Sequence, residues 1–342
     1  MSELKTNKIS TNDQNNVAID NALGLKSYTT TARDALTSVA GDMIYNTTTS
    51  KVEAYTGSAW TQLGGLDLKQ IDYLIIAGGG GGASTSSYGG TGGGAGGYRN
   101  SYNSETSGGN SLAETAYYIS TGTNYTITVG AGGAVGNDGS ESQFEKVISV
   151  YGGGGTNHPG DRARHGRNGG SGGGSTGGTA QGVLGQGSDG GNSPQGGGGG
   201  AGAAGGVGQG YNVGGENGGV GGNGLASTIT GSSVTRAGGG GASTLRATAS
   251  GSAGTGGTGG GGNGSKNGTA GTGTVNTGSG GGGSVGSNGV GGAGGSGFVA
   301  LSYPSTLTIT VGAGLTTGVS ETTDGDRKYI TFTGGTGEVS WS

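Results

Sequence analysis

Glycine occurs in this chain in long runs, and a run of glycine has no side chains with which to build an apolar core. Of the 96 glycines among the 342 residues, 84 lie between residues 71 and 303, whereas five precede this segment and seven follow it. Average proteins contain about 7% glycine, so the segment lies far outside ordinary globular composition. A conventional core of buried side chains is therefore excluded across most of the chain.

The glycine content divides the sequence into three predicted domains, residues 1–70, 71–303 and 304–342. In the first, residues 42–63 have the alternating pattern of short strands joined by turns. The third contains two similar alternating runs. We interpret the first and third parts as small β units on either side of the glycine-rich part.

Apolar runs of strand-like composition bracket the glycine-rich part. Residues 73–77 open it and residues 298–303 close it, and two further runs, 125–129 and 147–151, lie nearer its start. Each run is four to eight residues long and rich in β-branched and aromatic residues, as buried strands are. Together these runs predict a small sheet at one end of this part.

The glycine runs themselves allow two interpretations. Unperiodic glycine-rich sequence is commonly disordered, because glycine loses more conformational entropy on folding than any other residue. Alternatively, the runs form extended threefold helices of the polyglycine-II type, whose backbone groups bond to neighbouring helices. We favour the second, because residues 168–303 carry only five charged side chains, whereas disordered segments are normally rich in charge. The predicted fold class is mainly β and polyglycine-II, with small β segments bracketing a packed array of extended glycine-rich helices and almost no α-helix.

Composition also excludes several classes of protein. Cysteine is absent, which rules out disulfides and thiolate metal sites. No apolar run approaches the roughly 20 residues of a membrane-spanning helix, and no apolar segment follows the polar start, so we expect neither a membrane anchor nor a secretory signal. The net charge of −4 argues against nucleic acid as a partner.

The sequence contains no convincing catalytic motif. Gly-x-Gly-x-x-Gly recurs by chance at this glycine content, and no helical pattern follows it, so no dinucleotide site is predicted. The two histidines, His158 and His165, flank Asp161, but the arginines of the same loop would repel a metal cation. We therefore predict no enzyme activity, no metal and no cofactor.

The same loop is better suited to recognition. Arg162, Arg164 and Arg167 carry planar guanidinium groups that bind carboxylates and phosphates through paired hydrogen bonds. The alternative is a solvated loop whose arginines cap exposed carbonyl groups. Tyrosine, the commonest aromatic residue of the chain, combines an apolar face with a hydroxyl and suits recognition surfaces. The predicted receptor-binding residues are Tyr88, Tyr98, Arg99, Tyr102, His158, Arg162, Arg164, His165, Arg167 and Tyr211.

Several motifs, taken in order, resemble the glycine-rich domain of bacteriophage tail fibres and adhesins. They are residues 71–82 (IDYLIIAGGGGG), 92–99 (GGGAGGYR), 125–133 (YTITVGAGG), 142–144 (SQF) and 295–301 (GSGFVAL). The resemblance covers about 71–303 and implies a polyglycine-II lattice whose distal loops bind the receptor. Separately, residues 41–60 are similar to a short β module of phage virion proteins.

The resemblance implies a structural protein of a phage virion. We expect a tail fibre or fibre-tip adhesin that binds a host surface glycan or outer-membrane protein. Residues 1–70 would attach it to other tail or fibre proteins, and by analogy with similar attachment modules it would be a homotrimer. Its location would be the virion, with the host cytoplasm during assembly. Two alternatives stay open: a baseplate, head-fibre or decoration component without a receptor role, and a glycine-rich extracellular matrix protein.

Overall fold

The computed structural model describes residues 24–63, 68–156, 165–192, 194–209 and 216–342. Contacts divide the chain into an N-terminal unit, Met1–Asp67, and a C-terminal unit, Leu68–Ser342.

The described part of the N-terminal unit contains β1 (Ser27–Tyr28), helix α1 (Thr30–Asp34), β2 (Met43–Asn46), β3 (Lys51–Tyr55) and β4 (Trp60–Gln62). The strands form one sheet in the order β1-β2-β3-β4. Among residues 24–63, Ile44 is the only hydrophobic residue that is buried. Polar contacts supply the rest of this interior, because the buried Glu53 accepts hydrogen bonds from Asn46 Nδ2 at 3.1 Å and from Arg33 Nη1 at 2.8 Å.

The C-terminal unit begins with β5 (Lys69–Ile76), whose sequence is apolar on both faces. Its further strands are β6 (Ser84–Thr85), β7 (Tyr98–Asn100), β8 (Tyr117–Ile119), β9 (Tyr125–Val129), β10 (Ser142–Phe144), β11 (Val147–Ser149), β12 (Leu225–Ser227), β13 (Val234–Arg236), β14 (Ser265–Lys266), β15 (Ser284–Val285), β16 (Phe298–Pro304), β17 (Ile309–Val311), β18 (Leu315–Thr317), β19 (Thr322–Asp324) and β20 (Arg327–Trp341). A 3-10 turn spans Tyr102–Ser104.

An 11-stranded sheet organises this unit, with the main strand order β11-β10-β9-β20-β16-β5-β7. β8 pairs with β5, and β17, β18 and β19 pair with β20. The four apolar runs of the glycine-rich part do join one sheet, as β5, β9, β11 and β16. The long strand β20 separates β9 from β16, and the sequence pattern did not place it there.

The first and last strands of the main order approach each other. The backbone N–H of Gly97, just before β7, donates to the carbonyl of Val150, just after β11, at 2.7 Å. The side chain of Arg99 donates from Nη1 to the carbonyl of Ile148 at 3.1 Å. The sheet therefore curves until its two ends are bridged by hydrogen bonds.

Side chains on the two faces of the sheet form two apolar clusters. On one face, alternating residues of β5, β9, β16 and β20 surround Trp341, which is only 1% exposed. Its ring makes edge contacts with Tyr125 and Tyr303 at 5.8 Å between centroids. On the other face, Leu74, Ile76 and Phe298 pack against small residues of the glycine-rich segments, including Ala95, Ala201 and Ala237.

Backbone hydrogen bonds link glycine segments that are far apart in the sequence. Gly93 donates to Gly281 at 2.8 Å and accepts from Gly240 at 2.9 Å. These approaches leave no room for a side chain, since a Cβ on Gly198 would lie 1.9 Å from the carbonyl oxygen of Gly93. Glycine is therefore required here by the closeness of neighbouring backbones.

The predicted fold class is wrong. The structure is mostly β-sheet, and the described residues contain no array of extended glycine-rich helices. Their helical structure is limited to Thr30–Asp34 and the 3-10 turn. Successive glycines bond to different neighbours, as Gly79, Gly80 and Gly81 do with Gly295, Gly94 and Asn137. Regular structure is instead organised by the apolar strands, which bury side chains on both faces.

Candidate functional site

Three turns of the glycine-rich segments meet in a small parallel sheet. β15 pairs with β6 through Ser284 and Ser84 and with β14 through Ser284 and Ser265. Beyond the paired residues, Gly286 donates to the carbonyl of Thr85 at 2.9 Å. Turns that are up to about 200 residues apart are thereby held side by side.

Further turns join this group through backbone bonds. Gly89 donates to the carbonyl of Leu245 at 2.8 Å, and Leu245 donates to the carbonyl of Glu216 at 3.3 Å. The side chain of Gln195 also donates to the carbonyl of Glu216, at 3.3 Å. We call this connected group the turn surface, which comprises Gln195, Glu216 and residues 84–88, 244–249, 265–268 and 284–288.

The turn surface carries charges in a part of the sequence that has few. Arg246 forms an ion pair with the buried carboxylate of Glu216, with Nε 3.2 Å from Oε2. Lys266 donates from Nζ to the carbonyl of Ala249 at 2.8 Å. Both cations are thus fixed by bonds that leave part of each side chain facing solvent.

Two residues of the turn surface have a left-handed backbone conformation. Glu216 and Asn267 have φ angles of 61° and 57°, in the left-handed region that non-glycine residues seldom occupy. Residues held in such conformations need support from their surroundings and are frequent at binding sites. The bonds that Glu216 makes to Arg246 and Leu245 supply that support here.

Tyr88 is the predicted candidate that lies on the turn surface. It is 38% exposed and follows the exposed Ser86 and Ser87. A phenol and two hydroxyls are therefore carried on a turn that is joined to the turn of Arg246 by the backbone bond between Gly89 and Leu245. This combination offers an apolar face, hydrogen-bond donors and acceptors, and positive charge to a ligand.

Two candidates from the arginine-rich loop are also described. His165 is exposed, and its ring lies so close to Gly178 that a Cβ there would be 1.9 Å from Cε1. Arg167 lies 3.4 Å from Asp138, between Nη1 and Oδ2, and its side chain is 53% exposed. His158, Arg162, Arg164 and Tyr211 lie outside the described residues.

The remaining candidates lie in or beside β7, within the large sheet. Tyr98 is fully buried in the second apolar cluster, and burial raises the pKa of its hydroxyl. Tyr102 is partly buried, which likewise raises its pKa. Tyr98 therefore offers no exposed surface to a ligand, whereas Tyr102 remains partly exposed, and neither belongs to the turn surface that carries Tyr88.

Arg99 takes a structural position. Its Nε donates to Glu114 Oε1 at 2.9 Å, and Glu114 also accepts from the Tyr73 hydroxyl at 2.9 Å. Burial lowers the pKa of Arg99, but the hydrogen bonds and the charge of Glu114 outweigh burial and raise it. The guanidinium is thus occupied by Glu114 and by the Ile148 carbonyl.

Arg246, Glu216 and Lys266 were not among the predicted candidates. Each is an isolated charge in a glycine-rich segment, and that rarity was a usable signal for a specific contact, such as the ion pair between Arg246 and the buried Glu216. The prediction instead favoured aromatic residues and the arginine-rich loop.

No group of three metal-binding side chains occurs within the described ranges. The metal prediction stays open, because His158 and Asp161 lie outside those ranges.

The described residues include no helix with the length and apolar character needed to span a membrane. No curated protein matches this sequence. Residues 47–304, from the turn after β2 to the end of β16, match a family described as a glycine-rich domain. The match covers well over half of the chain, and the chain therefore belongs to this glycine-rich domain family.

Proposed function

We propose that this chain is a structural protein of a phage virion, a tail fibre or fibre-tip adhesin that binds a host surface receptor. Binding would take place on the turn surface, through Tyr88, Arg246 and Lys266. The predicted ligand is a surface glycan or an outer-membrane protein, and the mechanism is adhesion without catalysis.

The observation that carries the proposal is the grouping of the side-chain-bearing turns. Glycine segments hold Tyr88, Arg246 and Lys266 on connected turns through backbone bonds. A surface fixed in this way loses little conformational entropy on binding, which favours affinity. The arginine guanidinium can bind anionic groups such as the phosphates and carboxylates of bacterial surface glycans. The ordered motifs that resemble phage adhesins support the same proposal.

The N-terminal unit would attach the chain to other tail or fibre proteins, and the chain would assemble as a homotrimer. Several copies of a weak site give a much higher overall affinity than one copy. Neither nucleic acid nor a cofactor has a part in this proposal.

Competition for host cells tests the adhesin. Purified full-length chain, added to host cells before the particles, is expected to reduce particle adsorption, and immunogold labelling is expected to mark a fibre or its tip. Labelling of the capsid or baseplate, together with unchanged adsorption, would favour the alternative of a baseplate, head-fibre or decoration component.

A further inference from the structure

Trp60 lines two grooves in the N-terminal unit. One groove, with a volume of about 410 Å³, is lined by Arg33, Asp34, Leu36, Tyr55, Ser58, Ala59 and Trp60. The other, of about 370 Å³, includes Tyr28, Leu36, Ser38, Asp42, Ile44 and Trp60 in its lining. Both volumes fall in the range of roughly 300–1,000 Å³ that is usual for small-ligand sites.

Trp60 and Tyr55 form an aromatic wall on the first groove. They are directly paired across β3 and β4, and their ring centroids lie 5.4 Å apart with an interplanar angle of 55°. Both rings are partly exposed, although the unit has little other apolar material to bury. Leaving two large rings in contact with solvent costs free energy, and a ligand stacked on them would recover it.

Polar groups surround the aromatic wall. Asp34, which lines the first groove, is 57% exposed at its side chain and accepts from Arg33 with Oδ1, so its carboxylate can also accept from a ligand. Ser58 adds an exposed hydroxyl. In the second groove, the hydroxyl oxygen of Ser38 is buried and has no hydrogen-bond partner among the described residues. A buried hydroxyl without a partner is costly, and a bound ligand hydroxyl would satisfy it.

The charges indicate a neutral ligand. Arg33, the cation of the first groove, is already paired with Asp34 at 2.7 Å and Glu53 at 2.8 Å. An anion would have to compete with these two carboxylates. A neutral pyranose instead offers an apolar C–H face to the rings and hydroxyls to Asp34, Ser58 and Ser38. We propose that the N-terminal unit carries a saccharide-binding site in which Trp60, which lines both grooves, stacks on a neutral pyranose.

Tryptophan fluorescence of the full-length chain tests this site directly. The chain has two tryptophans, and Trp341 is 1% exposed in the other unit, so ligand-dependent changes report on Trp60. The probes are maltohexaose, cellohexaose and chitohexaose at up to about 10 mM, which covers weak binding. We expect a saturable change in emission with at least one of them. The absence of a saturable change with all three would overturn the proposal.

Variants followed by calorimetry identify the residues responsible. Trp60→Leu keeps an apolar side chain and is expected to weaken binding at least about tenfold, the loss typical of a central aromatic contact. Trp60→Phe keeps a ring and the fold, and should lose less affinity. Asp34→Asn removes the charged acceptor and should weaken binding several-fold even if Trp60→Leu does not fold. Unchanged affinity in Asp34→Asn and Trp60→Phe together would contradict the site.

Two controls separate this site from other sugar contacts. Tyr45→Ala removes a partly exposed ring from the opposite face of the same sheet, because Tyr45 alternates with the buried Ile44 on β2. Tyr88→Ala alters the turn surface, where the adhesin proposal places its receptor site. Both variants are expected to keep the response of Trp60. Loss of that response in Tyr45→Ala, with the fold intact, would count against the assignment.

Discussion

Arg327 donates a hydrogen bond from Nη2 to Oδ2 of Asp72 at 2.7 Å, joining β20 to β5 across 255 positions of the sequence. The same nitrogen also donates to the carbonyl of Ser302, on β16 between them, at 2.7 Å. Asp72 is nearly buried, with a side-chain exposure of 9%. One guanidinium therefore ties together three neighbouring strands of the large sheet.

Replacing Arg327 is expected to destabilise the C-terminal unit. Arg327→Met leaves the Asp72 carboxylate buried without its partner, and breaking such a pair costs about 3 kcal/mol or more. Urea unfolding followed by Trp341 fluorescence measures the change. The double variant Asp72→Asn with Arg327→Met removes the unpaired charge and should recover part of the loss. A double variant no more stable than Arg327→Met would contradict this account.

A methyl group in a glycine segment should be more damaging than its size suggests. Gly198→Ala places Cβ 1.9 Å from the carbonyl oxygen of Gly93, so a backbone has to move, and we expect a loss of about 3 kcal/mol or more. Gly198→Val should destabilise the unit more than Leu74→Ala does. Gly334→Ala is the matched control, because its Cβ would meet nothing nearer than 3.6 Å. Equal melting temperatures for Gly198→Ala and Gly334→Ala would refute the close-packing argument.

Arg99 and Arg167 should differ in their effect on stability. Arg99→Ala removes the bonds to Glu114 and to the Ile148 carbonyl, and leaves a largely buried carboxylate, so a loss of about 2 kcal/mol is expected. Arg167→Ala breaks an exposed pair at 3.4 Å, and such pairs contribute about 0–1 kcal/mol. Thermal unfolding of the two variants makes the comparison. A larger loss in Arg167→Ala would be inconsistent with a structural role for Arg99.

The N-terminal unit should lose stability in acid. Burial raises the pKa of Glu53, but hydrogen bonds from Arg33 and Asn46 outweigh burial and lower it below the ordinary value of 4.5. A carboxylate with a lowered native pKa stabilises the fold fully above its unfolded pKa. That contribution disappears as the pH falls from 4.5 through the lower native value. Trp60 emission in a Trp341→Phe background follows urea unfolding between neutral pH and acid, and Glu53→Gln should flatten this dependence. An unchanged slope in Glu53→Gln would assign the acid sensitivity to another group.

Under the proposed adhesin function, substitutions on the turn surface should weaken binding to host cells in steps. Tyr88→Ala and Lys266→Ala are each expected to weaken binding to host cells about tenfold, because single central contacts often dominate an interface. Flow cytometry with labelled full-length chain measures this. Leu112→Ser, at an exposed position away from the turns, serves as the control. Binding that survives the combined Tyr88→Ala and Lys266→Ala change would remove the turn surface from consideration.

The sequence predicted the strands better than the arrangement of the glycine segments. The run around Tyr73 is apolar on both faces, and it forms a strand buried on both faces, as its composition indicates. The glycine runs have no alternating pattern of side chains. Their sequence therefore does not indicate which glycine segments pack against each other. That information resides in long-range contacts such as Arg327 with Asp72. The prediction of a helical array is wrong for this reason. Composition shows which residues a segment contains, but it does not show which other segments are its hydrogen-bonded neighbours.

Prediction of the candidate surface was limited in the same way. Tyr88 could be predicted as a binding residue because it is an aromatic residue in a segment between two glycine runs. Tyr98 has the same local context but lies buried, because a strand at that position pairs with β5. The pairing of Arg246 with Glu216 depends on the contact between two turns that are 30 positions apart. The sequence of neither turn alone predicts this contact.

The position of β20 bears on how the protein is made. β20 lies between β9 and β16 in the sheet, so the two halves of the sheet have no strand joining them until residues 327–341 have been synthesised. The ribosome adds roughly 5–20 residues per second, so the early strands wait for many seconds beside a growing glycine-rich segment. That segment has little apolar surface to expose, which limits the risk of aggregation during the delay. The unit is therefore expected to fold late and in one step, after translation has passed the last strand.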